Sequence, residues 1–330
     1  MPELPEIEIV KLQLQKVLIG QTIVSIEQLH KKSLQGNNKL VIGKKITGIK
    51  RLGKMLVIKL ASSHPERSEG SRLKAAKKNA SLDSSASPQN DKFMCIAIHF
   101  KMSGQLILIR GKGDPFDKLR TGADRGKLKR IVGGHPTEDW TRKLPSKHTR
   151  VIFHFKSGDT MFFNDQRIFG WNKILTEEEL RNLPFVKNLG PEIWDISAVE
   201  FFNLLQKKKK PIKVTLMDQE VLSGVGNIYA NDALWEARIH PQIQAQSLAF
   251  PKAKLLQDAL IKVLKEGIKY GGATAADAKY IDLHGLGGTY QEHFRVYDRV
   301  GQPCLKCKTK IKKMILGGRG TYFCPACQPA

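Results

Sequence analysis

Residues 1–18 read MPELPEIEIVKLQLQKVL, and this stretch frames the rest of the chain. Two prolines and two glutamates crowd the first six positions, where a chain is ordinarily least ordered. Behind them Ile7, Val10, Leu14, Val17 and Leu18 fall on one stripe at helical spacing. The spacing predicts a buried amphipathic helix over residues 4–18, with a rigid, carboxylate-bearing terminus in front of it.

Beyond that helix the period shortens to two. ITGIKRLGKMLVIKL (46–60), FMCIAIHFKMSGQLILI (93–109) and RVIFHFKSGDTMFFND (150–165) are strand-like, the last with an SGD turn signal at its centre. A β-sandwich is expected. Residues 62–92 and 111–148 interrupt it; the first has almost no large apolar residues and the second is rich in Gly, Lys, Arg and Pro. Neither has the burial needed to offset its ordering entropy, so both read as exposed, largely disordered loops. From about residue 176 the pattern becomes helical. Leu255, Leu256, Ala259, Leu260, Val263 and Leu264 form a stripe ended by Gly271-Gly272, which predicts a second, α-helical domain. The fold class is therefore α+β, with several domains.

Composition narrows the partners. At 330 residues with a net charge of +24, the chain can bury a sizeable core and is suited to a polyanion. No run of about 18 apolar residues suggests a membrane span, and the N-terminus lacks a signal-peptide core. A soluble, cytoplasmic protein is expected.

Four of the five cysteines lie in the last 27 residues. Cys304 and Cys307, sixteen intervening residues, then Cys324 and Cys327 make two knuckles of the kind that bind one tetrahedral Zn2+. Between them KTKIKKMILGGRGTYF reads as a basic hairpin suited to phosphate. Cys95, within an apolar strand, reads as an inert core residue.

PELPE at the terminus, HFKMSG (99–104), NDQRIFG (164–170), GVGNIYANDALW (224–235) and GGRGTYFCPACQ (317–328), in this order, resemble the bacterial formamidopyrimidine-DNA glycosylases. The resemblance spans nearly the whole chain except the two interrupting segments. It implies an N-terminal β-sandwich with a flanking helix over 1–172, a helix-two-turns-helix domain over 173–289 and a zinc finger over 290–330. Damaged duplex DNA would lie between them, bound by a monomer.

The resemblance also assigns roles. With Met1 removed, the Pro2 nitrogen would attack C1′ of the damaged nucleoside; a terminal secondary amine, with a reference pKa near about 8, can form an iminium. Glu3 would assist ring opening and Glu6 would support it, although two glutamates also suit a helix N-terminus. Lys54 would be the catalytic-site lysine. Met102, Arg167 and Phe169 would fill the void left by the extruded base, although Met and Phe in strand-rich sequence are ordinarily core. Asn227 and Arg319 would clamp phosphate, and His99 would be a further backbone contact unless it is a core histidine. Ile7, Ile9 and Gln166 depart mildly from the family pattern, and the lesion-recognition residues within 278–297 are unassigned. An endonuclease VIII-like enzyme for oxidised pyrimidines is the nearest rival, favoured less by PEL and the R-x-F pair. A noncatalytic zinc-ribbon protein would leave PELPE unexplained.

Overall fold

The computed structural model describes residues 2–61, 93–111, 130–134, 144–273 and 288–330. Helix α1 (Leu4–Leu18) starts at the predicted place: Pro5 fits its first turn, and the Glu3 N–H donates to the Glu6 carboxylate at 2.7 Å. Ile7, Val10, Leu14 and Leu18 are buried in the sandwich core. Leu4, by contrast, packs into the helical core with Val225 and Tyr229, and its N–H donates to Gly224 O at 3.0 Å. Burying one such leucine contributes about 1.5–3 kcal/mol. The first helix thus belongs to two cores.

Two five-stranded sheets form the sandwich. One runs β1 (Ile23–Gln28), β8 (Thr149–Phe155), β9 (Thr160–Asp165), β6 (Gly104–Ile109), β7 (Arg130–Gly134). The other runs β2 (Leu34–Gln35), β10 (Trp171–Thr176), β5 (Met94–His99), β4 (Met55–Leu60), β3 (Ile46–Leu52). Residues 93–109, read as one strand-like run, divide between the sheets at residues 100–103. The SGD turn joins β8 to β9 with Gly158 at φ 85°, a left-handed conformation that favours glycine.

The expected loop over 111–148 needs correction. Residues 130–134 form β7, paired antiparallel with β6 from Gln105↔Gly134 to Ile109↔Arg130. The composition argument failed because an edge strand is held by backbone hydrogen bonds to its neighbour, which no side-chain count registers. The expected loop over 62–92 lies outside the described residues; its flanks, Leu60 and Met94, are paired across β4 and β5.

After the strands, helical structure resumes at α2 (Glu177–Asn182) and α3 (Pro184–Lys187), followed by α4 (Ala198–Gln206), α5 (Ile212–Met217), α6 (Asn227–Glu236) and α7 (Phe250–Lys269). Leu256, Ala259, Leu260, Val263 and Leu264 of α7 are buried as predicted. Leu255 is not: it is 53 % exposed, one position off the packed face. The finger carries a hairpin, β11 (Lys312–Leu316) and β12 (Arg319–Phe323), and packs on α6 through Trp235, Ile311 and Tyr322. Among the described residues no helix is long and apolar enough to cross a membrane.

Candidate active site

Pro2, Glu3, Glu6, Lys54, Met102, Asn227 and Arg319 line one cavity of about 350 Å³. They come from α1, the β3–β4 turn, the turn after β5, α6 and the finger hairpin, so the cavity exists only once all three regions have docked. Seven of the predicted site residues are brought together here; His99, Arg167 and Phe169 do not line it.

Glu3 is 4 % exposed. Its carboxylate accepts from Ile228 N at 3.0 Å and Tyr229 N at 3.5 Å, so it occupies the N-terminus of α6 as well as closing the capping box of its own helix. Gly226 makes this possible, because a Cβ there would lie 2.1 Å from the Glu3 carboxyl carbon. The glycine flanking Asn227 therefore admits a carboxylate of this chain. Burial pushes the Glu3 pKa up, Lys54 opposes this, and Glu6 adds to it. The result is a carboxyl readier to hold a proton than an ordinary glutamate.

Glu6, 2 % exposed, accepts from Glu3 N, from the Tyr229 hydroxyl at 2.7 Å and from Ala273 N at 2.9 Å. Its carboxylate ties the terminus to the helical domain. Lys54, expected in a strand, sits in the β3–β4 turn beside Gly53 (φ 54°) and is 5 % exposed. Burial pushes its pKa down, Glu3 and Glu6 raise it, and Arg319 lowers it further. Water exclusion thus moves Glu3 and Lys54 towards their neutral forms, the condition in which proton transfer near neutral pH is easiest.

Asn227 opens α6, and its Nδ2 donates to Gly320 O at 3.2 Å, next to the exposed Arg319. Four residues on, Asn231 Oδ1 accepts from Tyr322 N at 2.8 Å; four further, the Trp235 indole donates to Cys304 Sγ at 3.3 Å. One face of α6 therefore holds the hairpin in register, with Glu3 at the helix's head.

Two turns stand beside the cavity. Arg167 and Phe169, the latter 56 % exposed, occupy residues 166–170, with the guanidinium 5.2 Å from the ring centroid. Met102 is half-buried in the turn after β5. Lys101 (φ 50°) and Ile168 (φ 57°) take left-handed backbone, which costs a non-glycine residue about 1–2 kcal/mol. His99 corrects the expectation of a DNA contact. It is 3 % exposed, packs against Trp171 and Phe185, and accepts Lys101 N on Nδ1 at 3.1 Å. Burial, with Lys101 and Lys54 nearby, pushes its pKa down to about 3. It leaves no surface for phosphate and supports the turn instead.

The four cysteine sulfurs lie within 4.8 Å of one another, with Cys304–Cys327 at 3.9 Å and Cys307–Cys324 at 3.4 Å. A tetrahedral zinc with Zn–S bonds of about 2.3 Å separates its sulfurs by about 3.8 Å. The donor set fits one closed, structural Zn2+.

The finger sequence, residues 301–330, matches the zinc finger found in FPG and IleRS. Residues 1–172 match the N-terminal domain of formamidopyrimidine-DNA glycosylase, and residues 189–279 its H2TH domain. The chain belongs to the formamidopyrimidine-DNA glycosylase family. It is 33 % identical to the Pelotomaculum thermopropionicum and 32 % identical to the Streptococcus pneumoniae formamidopyrimidine-DNA glycosylases, over 99 % of each chain. The fold is similar to that of Lactococcus lactis Fpg in complex with abasic-site DNA (TM-score 0.74, 26 % identity, 99 % of this chain and 100 % of that one). It is likewise similar to the Thermus thermophilus Fpg protein (TM-score 0.73, 29 % identity, 99 % and 98 %).

Several residues of the site escaped the sequence reading. Tyr229 lay inside a quoted motif without a role, because its contact to Glu6 crosses 223 positions, and Gly226, read as allowing close approach of a phosphate or a packed helix, admits the Glu3 carboxylate instead. Lys213 had one signal, a lysine among the apolar residues of PIKVTLM. It is fully buried, its Nζ has no hydrogen-bond partner among the described residues, and burial, then Arg319, lower its pKa to about 8, against Glu3.

Proposed function

We propose that this protein excises oxidised purines, 8-oxoguanine and formamidopyrimidines, from duplex DNA and then cleaves the abasic strand. The observation that carries the reading is the cavity that joins Pro2 to the water-excluded Glu3 and Lys54, with Asn227 and Arg319 on its rim.

The Pro2 nitrogen, freed by loss of Met1, attacks C1′ with its lone pair. The C1′–N glycosidic bond breaks and the base leaves with a proton. O4′ takes a second proton as the sugar opens; the Pro2 N–H and the Glu3 carboxyl between them supply the two. The product is an iminium cation between Pro2 and C1′. It acts as an electron sink: loss of the C2′ proton expels the 3′ phosphate, and loss of the C4′ proton then expels the 5′ phosphate. Lys54, Asn227 and Arg319 hold the flanking phosphates, while Met102, Arg167 and Phe169 occupy the vacated stack. Glu6 keeps the terminus in place. We divide the chain into units over 1–172, 173–289 and 290–330, acting together as a cytoplasmic monomer on damaged DNA.

The test pairs a duplex-nicking assay, using 8-oxoguanine opposite cytosine, with borohydride trapping. Nicking and an adduct mapped to a peptide beginning at Pro2 are expected. Preference for oxidised pyrimidines would favour the endonuclease VIII-like reading. Binding without nicking would leave a DNA-binding module, and an adduct on Lys54, or trapping by a protein with a blocked N-terminus, would remove Pro2 from the mechanism.

A further inference from the structure

The turns that carry Met102 and Arg167–Phe169 leave the sandwich from the same place. Gly104 and Asp165 are paired at the end of the β6–β9 ladder, so one turn enters and the other leaves at a single rung. Between them lies the Asp165 carboxylate, fully buried. Its Oδ1 accepts from the Ser103 hydroxyl at 2.5 Å and from Arg167 N at 3.2 Å, while its Oδ2 accepts from Gly170 N at 2.6 Å. Ser103 Oγ in turn accepts from Arg167 N at 3.0 Å. The Asp165 backbone is itself fastened to the next strand: its N–H donates to His148 O at 2.9 Å, and its carbonyl accepts from Arg150 Nε at 2.8 Å.

We propose that Ser103 and Asp165 are positioning residues that lock the two turns together, so that Met102 and Phe169 enter the DNA stack as one rigid unit. The inference rests on the void-filling reading of those side chains given above. Three features support it. Each hydrogen bond made by the Asp165 carboxylate and the Ser103 hydroxyl crosses between the turns or closes one of them, and among the described residues the carboxylate has no partner in the apolar core. Gly170 leaves the space the carboxylate uses, since a Cβ there would lie 3.0 Å from Asp165 Oδ2 and 2.8 Å from Phe163. Lys101 and Ile168, both left-handed, sit one in each turn, where backbone strain is held only if neighbouring contacts fix it. Two side chains on separate flexible loops would each have to be ordered on insertion; on a locked pair that ordering is done once, before DNA arrives.

The experiment is a double-mutant cycle on the full-length zinc protein, reading single-turnover excision of 8-oxoguanine opposite cytosine. Met102→Ala, Phe169→Ala and the double variant are compared in the wild-type and Ser103→Ala backgrounds. If the side chains act as a unit, the wild-type double variant should lose less than the product of the single losses, by about threefold or more, whereas in Ser103→Ala the losses should multiply to within about twofold. Ser103→Thr, which keeps the hydroxyl, should restore the coupling. A purely structural role for Ser103 would slow all variants alike and leave the coupling untouched, which would overturn the proposal while the void-filling reading stood. Wild-type excision by both Met102→Ala and Phe169→Ala would overturn that reading and the proposal with it.

Discussion

Glu3, Glu6 and Lys54 are 4 %, 2 % and 5 % exposed, whereas Phe169, a short distance away in the fold, is 56 % exposed. The difference follows from what each region has to do. Around Pro2 the useful quantity is a shifted proton affinity, which arises only when charged groups are taken out of water and given a few directed partners. On the proposed void-filling role, the useful quantity at the two turns is apolar surface held in water until a stack opens, which requires exposure without looseness. The first region is assembled by contacts between domains. The second is assembled within one sheet.

Removing zinc divides the two regions most sharply. Arg319 and the hairpin that lines the cavity depend on the finger, while the turns depend on β6 and β9. Because metal binding and folding are coupled in so small a unit, Cys324→Ser should abolish zinc binding and weaken duplex affinity about tenfold or more, leaving the sandwich folded. Zinc stoichiometry, duplex titration and the near-UV spectrum check this. Full duplex affinity without zinc would show that the cavity does not need the finger.

Two phenylalanines sharpen the comparison in stability. Phe163, fully buried, should cost about 3–5 kcal/mol when changed to alanine. Phe169→Ala should stay within about 0.5 kcal/mol while slowing excision from duplex. Urea unfolding and single-turnover rates give both numbers; a large stability loss at Phe169 would make it a core residue after all.

Within the buried region, Gly226→Ala should be the most informative small change. Its Cβ would meet the Glu3 carboxyl carbon at 2.1 Å, displacing that carboxyl from the head of α6. A loss of about a hundredfold in base excision is expected, within the range ascribed to general acid–base groups. Wild-type excision in this variant would remove Glu3 from the reaction or show that its place at α6 is immaterial.

His99 belongs to the turns by position and to the buried region by environment. Its folded pKa, about 3, lies below the ordinary histidine value of 6.5, so the folded state resists taking a proton that the unfolded state accepts. Its contribution is intact above pH 6.5 and is lost as pH falls through the window from 6.5 towards 3. The slope is about 1.4 kcal/mol per pH unit, or about 2 kcal/mol between pH 6.5 and 5. His99→Gln should flatten that part of the stability profile, as read by urea unfolding at the two pH values; an unchanged slope would mean that His99 is accessible to protons in the folded protein.

How much of this was legible beforehand can be traced residue by residue. The stripe Ile7, Val10, Leu14 and Leu18, the SGD turn and the four cysteines are local patterns, and local patterns survive into the structure because helix period, turn geometry and metal-ligand spacing are properties of short chain segments. Strand β7 and the exposure of Leu255 were missed because pairing and packing partners are chosen elsewhere in the chain. The motifs named Glu3, Lys54, Asn227 and Arg319, but not how they are held. That Glu3 reaches α6 as well as capping α1, that Glu6 is held by Tyr229 and Ala273, and that His99 faces Trp171 instead of solvent were decided only in the tertiary structure. Desolvation and long-range hydrogen bonding act between residues whose separation in the sequence carries no record of their distance in space.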